Sequence, residues 1–487
     1  MNIPIKKDRL TMTREETIQA TVDYFGSGKF RDTLARRVAF RTESQNPDAG
    51  PILMSYLTDE MIPVLQAMSF ECLVVENPIS KSSPFLLARR IEPLAELTLL
   101  TYGHGDVVQG YDEQWRDGLF PWEIVQNGNV WYGRGTADNK GQHTINLAAL
   151  EQVLKARRGQ LGYNVKIILE MGEEVGSPGL NEICEQYRDW LSADLFIASD
   201  GPRVSASQPT LFLGSRGVFN FDLKLNLRDG AHHSGNWGGL LSNPGIRLAH
   251  AIACLVDDHG RILIPGLRPP VLSDNLRRVL SDIELGSGPM DPAIDSRWGE
   301  PGLTAAEKLY GWNTLDILAF VTGNPDKPAH AIPPQAKAHC HMRYVVGSDV
   351  GNFTQHIRRH LDANGFEDVE IMNDVNCYKA TRLDLCDPWV EWGVMSMTHS
   401  VGTKVAILPN FGGGLPNACF SETLGLPTLW VPHSYPACSQ HAPNEHILAD
   451  TTLEALKIMT GLFWDLTEQG ADIVRMRLPM QAARLGE

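Results

Sequence analysis

The sequence predicts an α/β fold with a mixed sheet, interrupted by an inserted α+β domain. Two observations carry this. First, three apolar runs end alike. Leu99-Leu-Thr-Tyr-Gly-His104-Gly-Asp106, Val165-Lys-Ile-Ile-Leu-Glu-Met-Gly-Glu173-Glu174 and Leu195-Phe-Ile-Ala-Ser-Asp200 each read as a strand that delivers an imidazole or carboxylates at its end. With a helix expected between them at about 141–157, they form an α/β sheet, whose sites gather at the carboxyl edge. Second, Val218–Arg228 and Ala336–Val346 alternate apolar and polar with period two, which marks half-exposed antiparallel strands.

The remaining elements follow in order. Thr13-Arg-Glu-Glu16 is a capping box, opening a helix over much of 14–40 with a break at Gly26-Ser-Gly28. A second helix is expected over about 50–68, where Leu53, Tyr56, Leu57, Met61 and Val64 fall on one face. Strands are expected near 71–76, 85–89 and 97–104. Gly133-Arg-Gly-Thr-Ala-Asp138-Asn-Lys-Gly141 gives a loop whose glycines permit a backbone other residues resist, just before the helix at 141–157. Trp115, Trp122 and Trp131 read as core and rim packing, not as a substrate platform. The composition changes near Arg216, and residues 214–382 are taken as the inserted domain, with a helix near 244–257 and a Pro/Gly-rich region over 259–312. The first domain then comprises 1–213 and 383–487, resuming with a helix from about 387 and strands around 404–409 and 427–432. Phe411-Gly-Gly-Gly-Leu-Pro416 is either a tight turn or a set of backbone amides offered to an anion. The other late signal is Ser439-Gln-His441-Ala-Pro-Asn-Glu445.

A chain of 487 residues exceeds a single core and implies two or three domains. The net charge of −15 argues against a nucleic-acid partner, which would need basic patches to neutralise phosphates, and is compatible with divalent cations. The eight cysteines are scattered singly with no CxxC pair, the pattern of free thiols in a reducing compartment. The polar start Met1-Asn-Ile-Pro-Ile-Lys-Lys-Asp8 lacks the apolar segment of a signal peptide, and no run of about 18 apolar residues suggests a membrane span. The expectation is a cytoplasmic protein with no membrane partner.

Function rests on the strand ends. Positions i and i+2 of a strand share a face, so Asp106 is placed to orient the His104 imidazole. Gly103-His104-Gly-Asp106, Gly133-Arg-Gly-Thr-Ala-Asp138-Asn-Lys-Gly141, Glu173-Glu174-x-Gly-Ser, Ser199-Asp200 and the late His441 together resemble, in order, the M20 family of metallopeptidases. That family includes glutamate carboxypeptidase, succinyl-diaminopimelate desuccinylase, aminoacylase-1 and the carnosine dipeptidases. The resemblance implies a zinc-peptidase-like catalytic domain interrupted by a lid that also dimerises. It implies that Asp138 bridges two divalent metals, with His104 and Asp200 completing one site and Glu174 and His441 the other. Such a donor set suits zinc first and also accepts manganese or cobalt. Glu173 is then the general base and Asp106 the carboxylate behind His104. His233, in His232-His233-Ser-Gly, aligns with the histidine that crosses a homodimer interface to the scissile carbonyl. Arg343 matches the arginine that grips the substrate carboxylate, and Gly413 and Gly414 match a glycine turn facing the substrate. One departure stands out. Many relatives carry an asparagine just before the Ile-Pro that precedes the arginine strand, whereas the run here is His330-Ala331-Ile332-Pro333, so that hydrogen-bond donor is either missing or replaced by His330.

The expected activity is dinuclear metal-dependent hydrolysis of an amide bond in a small peptide, of the carboxypeptidase or dipeptidase type. The alternative is a deacylase or amidohydrolase acting on an N-acyl amino acid or a non-peptide amide. A metal-binding pseudoenzyme is disfavoured because His104, Asp138, Glu173, Glu174, Asp200 and His441 are all present. A nucleotide-binding α/β protein is disfavoured because no Gly-rich phosphate loop follows a strand in the required context.

Overall fold

The computed structural model describes residues 12–286, 292–373 and 378–485. The polar residues 1–8 and Cys377 lie outside the described residues; the other seven cysteines are free thiols. Among the described residues no helix is long and apolar enough to cross a membrane.

The larger sheet has eight strands, ordered Glu71–Val75, Phe85–Arg90, Asn164–Glu170, Thr98–His104, Leu195–Ala198, Thr428–Trp430, Thr210–Phe212 and Ala406–Leu408. Its four central strands, Asn164–Glu170 through Thr428–Trp430, run parallel to one another, while Glu71–Val75 and Phe85–Arg90 pair antiparallel on one flank. Parallel neighbours end together, so the residues following Thr98–His104, Asn164–Glu170 and Leu195–Ala198 emerge at one edge. The central strands are apolar at nearly every position because both faces are covered. Leu99, Val165, Ile167, Leu169 and Ile197 belong to one buried cluster, shared with the helices Lys140–Ala156, Pro388–Val401 and Ala449–Leu485. Leu100, Tyr102, Ile168, Phe196 and Ala198 belong to a second cluster on the opposite face.

The helix expected over 14–40 is two helices, Arg14–Gly26 and Lys29–Val38, broken where Gly28 takes a φ of +81°. Thr13 caps the first through the reciprocal pair with Glu16. The 50–68 helix forms with a π-helical stretch at Tyr56–Met61, which turns both Tyr56 and Leu57 inward. Trp115, Trp122 and Trp131 are buried packing residues, and Trp131 stacks on Phe25 with ring centroids 5.5 Å apart.

The smaller sheet is antiparallel throughout, ordered Thr314–Thr322, Gln335–Tyr344, Gly217–Asn226 and Glu370–Asn373. Alternation sorts its two faces as the sequence implies. Phe219, Phe221, Leu223 and Leu225 pack with Ala336, Ala338, Cys340 and Met342 under the helices Pro244–Leu255 and Phe353–Ala363. The intervening residues, including Asn220, His341 and Arg343, face the other way. The region read as Pro/Gly-rich contains two short helices, Asp274–Leu280 and Ala305–Gly311. Although they lie between strands of the smaller sheet in sequence, Leu280, Ile283, Ala306 and Tyr310 pack into the second core cluster of the larger one.

Candidate metal centre

His104 ends its strand fully buried. Its Nδ1 lies 3.1 Å from the Asp106 carbonyl oxygen and 3.4 Å from the Asp106 carboxylate. Its Nε2 is thereby turned outward, 3.0 Å from Asp138 Oδ1 and 3.7 Å from Asp200 Oδ2. Asp106 also reaches the turn that follows the neighbouring strand Asn164–Glu170, where its two carboxylate oxygens accept the backbone N–H groups of Glu173 and Glu174 at 3.2 and 3.1 Å. One buried carboxylate therefore sets both the imidazole and the paired acids.

Asp138 sits in the loop before the helix Lys140–Ala156. The loop closes so tightly that a Cβ at Gly141 would lie 1.8 Å from the Thr136 carbonyl oxygen, which only glycine avoids. Glu445, fully buried, holds this loop from far along the chain. Its carboxylate accepts from Arg134 Nη1 at 2.8 Å and from the backbone N–H groups of Gly135, Ala137 and Asp138 at 3.0, 2.8 and 3.0 Å.

The second Asp138 oxygen, Oδ2, faces a different set: His441 Nε2 at 2.9 Å and Gln440 Nε2 at 2.8 Å, and His441 Nε2 is also 3.0 Å from Glu174 Oε2. Backbone strain accompanies this placement, because Ser439, His441 and Asn444 all have positive φ values of +58°, +59° and +65°. His104, Asp138 and Asp200 thus form one group that could hold a metal ion, and Asp138, Glu174 and His441 a second, with Asp138 in both.

Electrostatics favour cations here. Burial pushes the Glu174 carboxyl up to about 7 and that of Asp200 to about 6, with the Asp138 charge adding to each. Burial raises Glu173 well above the usual carboxylate range, and Asp200, Glu174 and Asp138 contribute to the shift. Hydrogen bonds to Asp138 and Glu174 lift His441 to about 11. Among the described residues no lysine or arginine pairs with these four acids, and Glu174 Oε1 is buried without a partner. Crowded carboxylates with no such lysine or arginine, bridged by the imidazoles of His104 and His441 that hold protons against Asp138, are a donor set that divalent ions fit, since a metal takes the place of those protons.

The acids open into a cavity of about 530 Å³ lined by Glu173, Asp200, His441, Arg343, Gly413 and Gly414 among others. Glu173 is half-buried, and its carboxylate makes no hydrogen bond or ion pair among the described residues. Arg343 Nη1 is buried without a partner. Gly414 leaves room for the Tyr378 ring, which a Cβ there would meet at 2.7 Å. Asn220, His341, Tyr378 and Gln440 also line the cavity. Sequence reasoning missed them, although the alternation around Arg343 put His341 and Asn220 on its face. His233 and His330 are not in this wall. His233 pairs with Ala331 in a two-residue ribbon, and the His330 carbonyl accepts the Ser234 N–H at 2.8 Å.

Behind Glu173 lies another buried acid. Glu170 Oε1 accepts from Tyr102 OH at 2.6 Å and Ser177 Oγ at 3.0 Å, while Oε2 has no partner, and burial raises its carboxyl to about 7. A folded-state value above the unfolded one means the native form binds this proton more tightly. Stability from this group is therefore complete below about pH 4.5 and is lost as pH rises towards 7. In chelated protein, Glu170→Gln should remove up to about 3 kcal/mol of the stability loss between pH 5 and 8, read by urea denaturation of both proteins. Parallel pH profiles would refute this.

An α/β sheet with acids and imidazoles arranged around one shared carboxylate at its carboxyl edge has the architecture of a metal-dependent hydrolase. Comparison with known proteins gives the family. The profile of peptidase family M20/M25/M40 matches residues 100–465. The mouse β-Ala-His dipeptidase is 35% identical over 411 residues, covering 79% of this chain and 80% of that protein. The human β-Ala-His dipeptidase is 25% identical over 489 residues, covering 96% and 92%. An M20 family metallo-carboxypeptidase from Sulfolobus solfataricus superposes with a TM-score of 0.76 at 25% identity, covering 89% of this chain and 98% of its own. The chain belongs to peptidase family M20/M25/M40 and is a metal-dependent hydrolase.

Proposed function

We propose that this enzyme is a dipeptidase that hydrolyses the amide bond of small peptides bearing a free carboxyl terminus, with two divalent cations held about Asp138. The observation that carries the reading is the division of Asp138: each of its oxygens faces a separate imidazole-and-carboxylate set, inside a cavity that also holds an unpartnered arginine. His104, Asp138 and Asp200 would hold one cation, and Asp138, Glu174 and His441 the other, with zinc the first choice by donor type and manganese or cobalt accepted. When bound, such a pair supplies Lewis acidity and lowers the pKa of a water towards neutrality.

The protein's own groups do the rest. Glu173, free of competing hydrogen bonds, takes a proton from the attacking water and returns it to the leaving nitrogen. Arg343 binds the substrate carboxylate, and its unpartnered Nη1 gains a partner in doing so. The backbone at Gly413 and Gly414 lets the substrate lie close to the wall. His233, outside this chain's cavity, would serve the site of a second copy in a homodimer and stabilise the developing oxyanion there, with His330 just before the ribbon strand that pairs with it.

The relatives named as β-Ala-His dipeptidases support a dipeptide substrate. The test is turnover of a dipeptide panel and of N-acyl amino acids before and after chelation, with zinc, manganese or cobalt restored. Chelation should abolish hydrolysis, a metal should restore it, and dipeptides should exceed N-acyl amino acids at least tenfold in kcat/KM. Turnover confined to N-acyl amino acids would make the enzyme a deacylase instead.

A further inference from the structure

Behind the cavity wall formed by the smaller sheet lies a second positive charge beside that of Arg343. Register sets Arg343 opposite Val218 and His341 opposite Asn220, and all four line the cavity. Arg216 lies two residues before Val218, so it is the diagonal neighbour of Arg343 on the same face. Arg216 is only 4% exposed. Its Nε and Nη2 both donate to the Gly412 carbonyl, at 2.9 and 2.8 Å, and its backbone N–H donates to the Phe411 carbonyl at 3.0 Å. These contacts fix the start of the turn that presents Gly413 and Gly414 to the cavity.

What remains unsatisfied is informative. Nη1 of Arg216 and Nη1 of Arg343 are both buried without a hydrogen-bond partner, and among the described residues neither guanidinium has a carboxylate within ion-pair distance. Asp316, opposite His341 on the adjoining strand, is the acid whose charge reaches both. Burial and the neighbouring Arg343 push Arg216 down to about 10, the direction expected of two cations short of an anion. A buried charge without a partner is costly, and an incoming carboxylate lowers that cost for both guanidiniums at once.

We propose that Arg216 is a positioning residue for the substrate carboxylate: it acts through Arg343 and the Gly412 turn, giving this end of the cavity a second positive charge that selects peptides ending in a free carboxylate. This deepens the dipeptidase reading and rests on it. The test compares one dipeptide with its C-terminal amide in wild type, Arg216→Gln and Arg216→Lys. Turnover is measured in the wild-type background, and calorimetric binding in the Glu173→Gln background. In Arg216→Gln the acid should lose at least tenfold more kcat/KM than the amide, chiefly through KM, and the lysine variant should recover most of that selectivity. Equal losses for acid and amide would reduce Arg216 to a clamp on the turn and overturn the proposal while leaving the dipeptidase reading intact. Selective loss of acid binding in a protein that turns over no dipeptide would support the anion role and overturn the dipeptidase reading. Binding of neither peptide would overturn both.

Discussion

Glu173→Gln should lower kcat by about 10²- to 10⁴-fold, the range for loss of a general base, while both cations stay bound. The amide keeps the size of the acid but cannot accept a proton at neutral pH. The metal groups (His104, Asp138 and Asp200; Asp138, Glu174 and His441) do not include residue 173, so metal content by atomic absorption should be unchanged. The backbone N–H that Glu173 donates to Asp106 is untouched by the substitution, so the turn carrying Glu174 persists. Activity within threefold of wild type would remove Glu173 from the base role. A parallel loss of metal would mean that it holds a cation instead.

Glu445→Ala should be the most damaging substitution outside the acid cluster. It removes the acceptor for Arg134 and for three backbone N–H groups of the loop that carries Asp138. Arg134 is itself fully buried, with Nε and Nη2 already unpartnered, so it is left as an uncompensated charge. Breaking a buried pair from one side costs about 3–5 kcal/mol, and loss of a group that supports a metal ligand costs about 10- to 100-fold in metal affinity. Denaturant unfolding of chelated protein measures the first, and competitive zinc titration the second. A change below about 1 kcal/mol with normal metal affinity would show that the loop holds its shape unaided.

Why Glu445 escapes sequence reasoning is instructive. It stands four residues after His441, but its partners lie 307 to 311 positions earlier, and nothing local to either segment announces the contact. The acid cluster is legible for the opposite reason. Thr98–His104, Asn164–Glu170 and Leu195–Ala198 are covered on both faces, so their runs are mostly apolar, and the polar residues that follow stand out. Parallel pairing then brings those endings together. The antiparallel pair around Arg343 is legible through its alternation, but alternation alone does not say that the face shared by Asn220 and His341 closes a cavity. The helices Asp274–Leu280 and Ala305–Gly311 are hidden by the surrounding prolines and glycines. The second of them nonetheless carries a Thr304–Glu307 capping box that could have signalled it.

The central claim is that Asp138 is shared by two cations, and anomalous diffraction from crystals of zinc-loaded Glu173→Gln protein tests it most directly. Two peaks are expected, one among His104, Asp138 and Asp200 and the other among Asp138, Glu174 and His441, with one Asp138 oxygen towards each. A single peak contacting only one of these sets, or zinc bound elsewhere with Asp138 free, would contradict it.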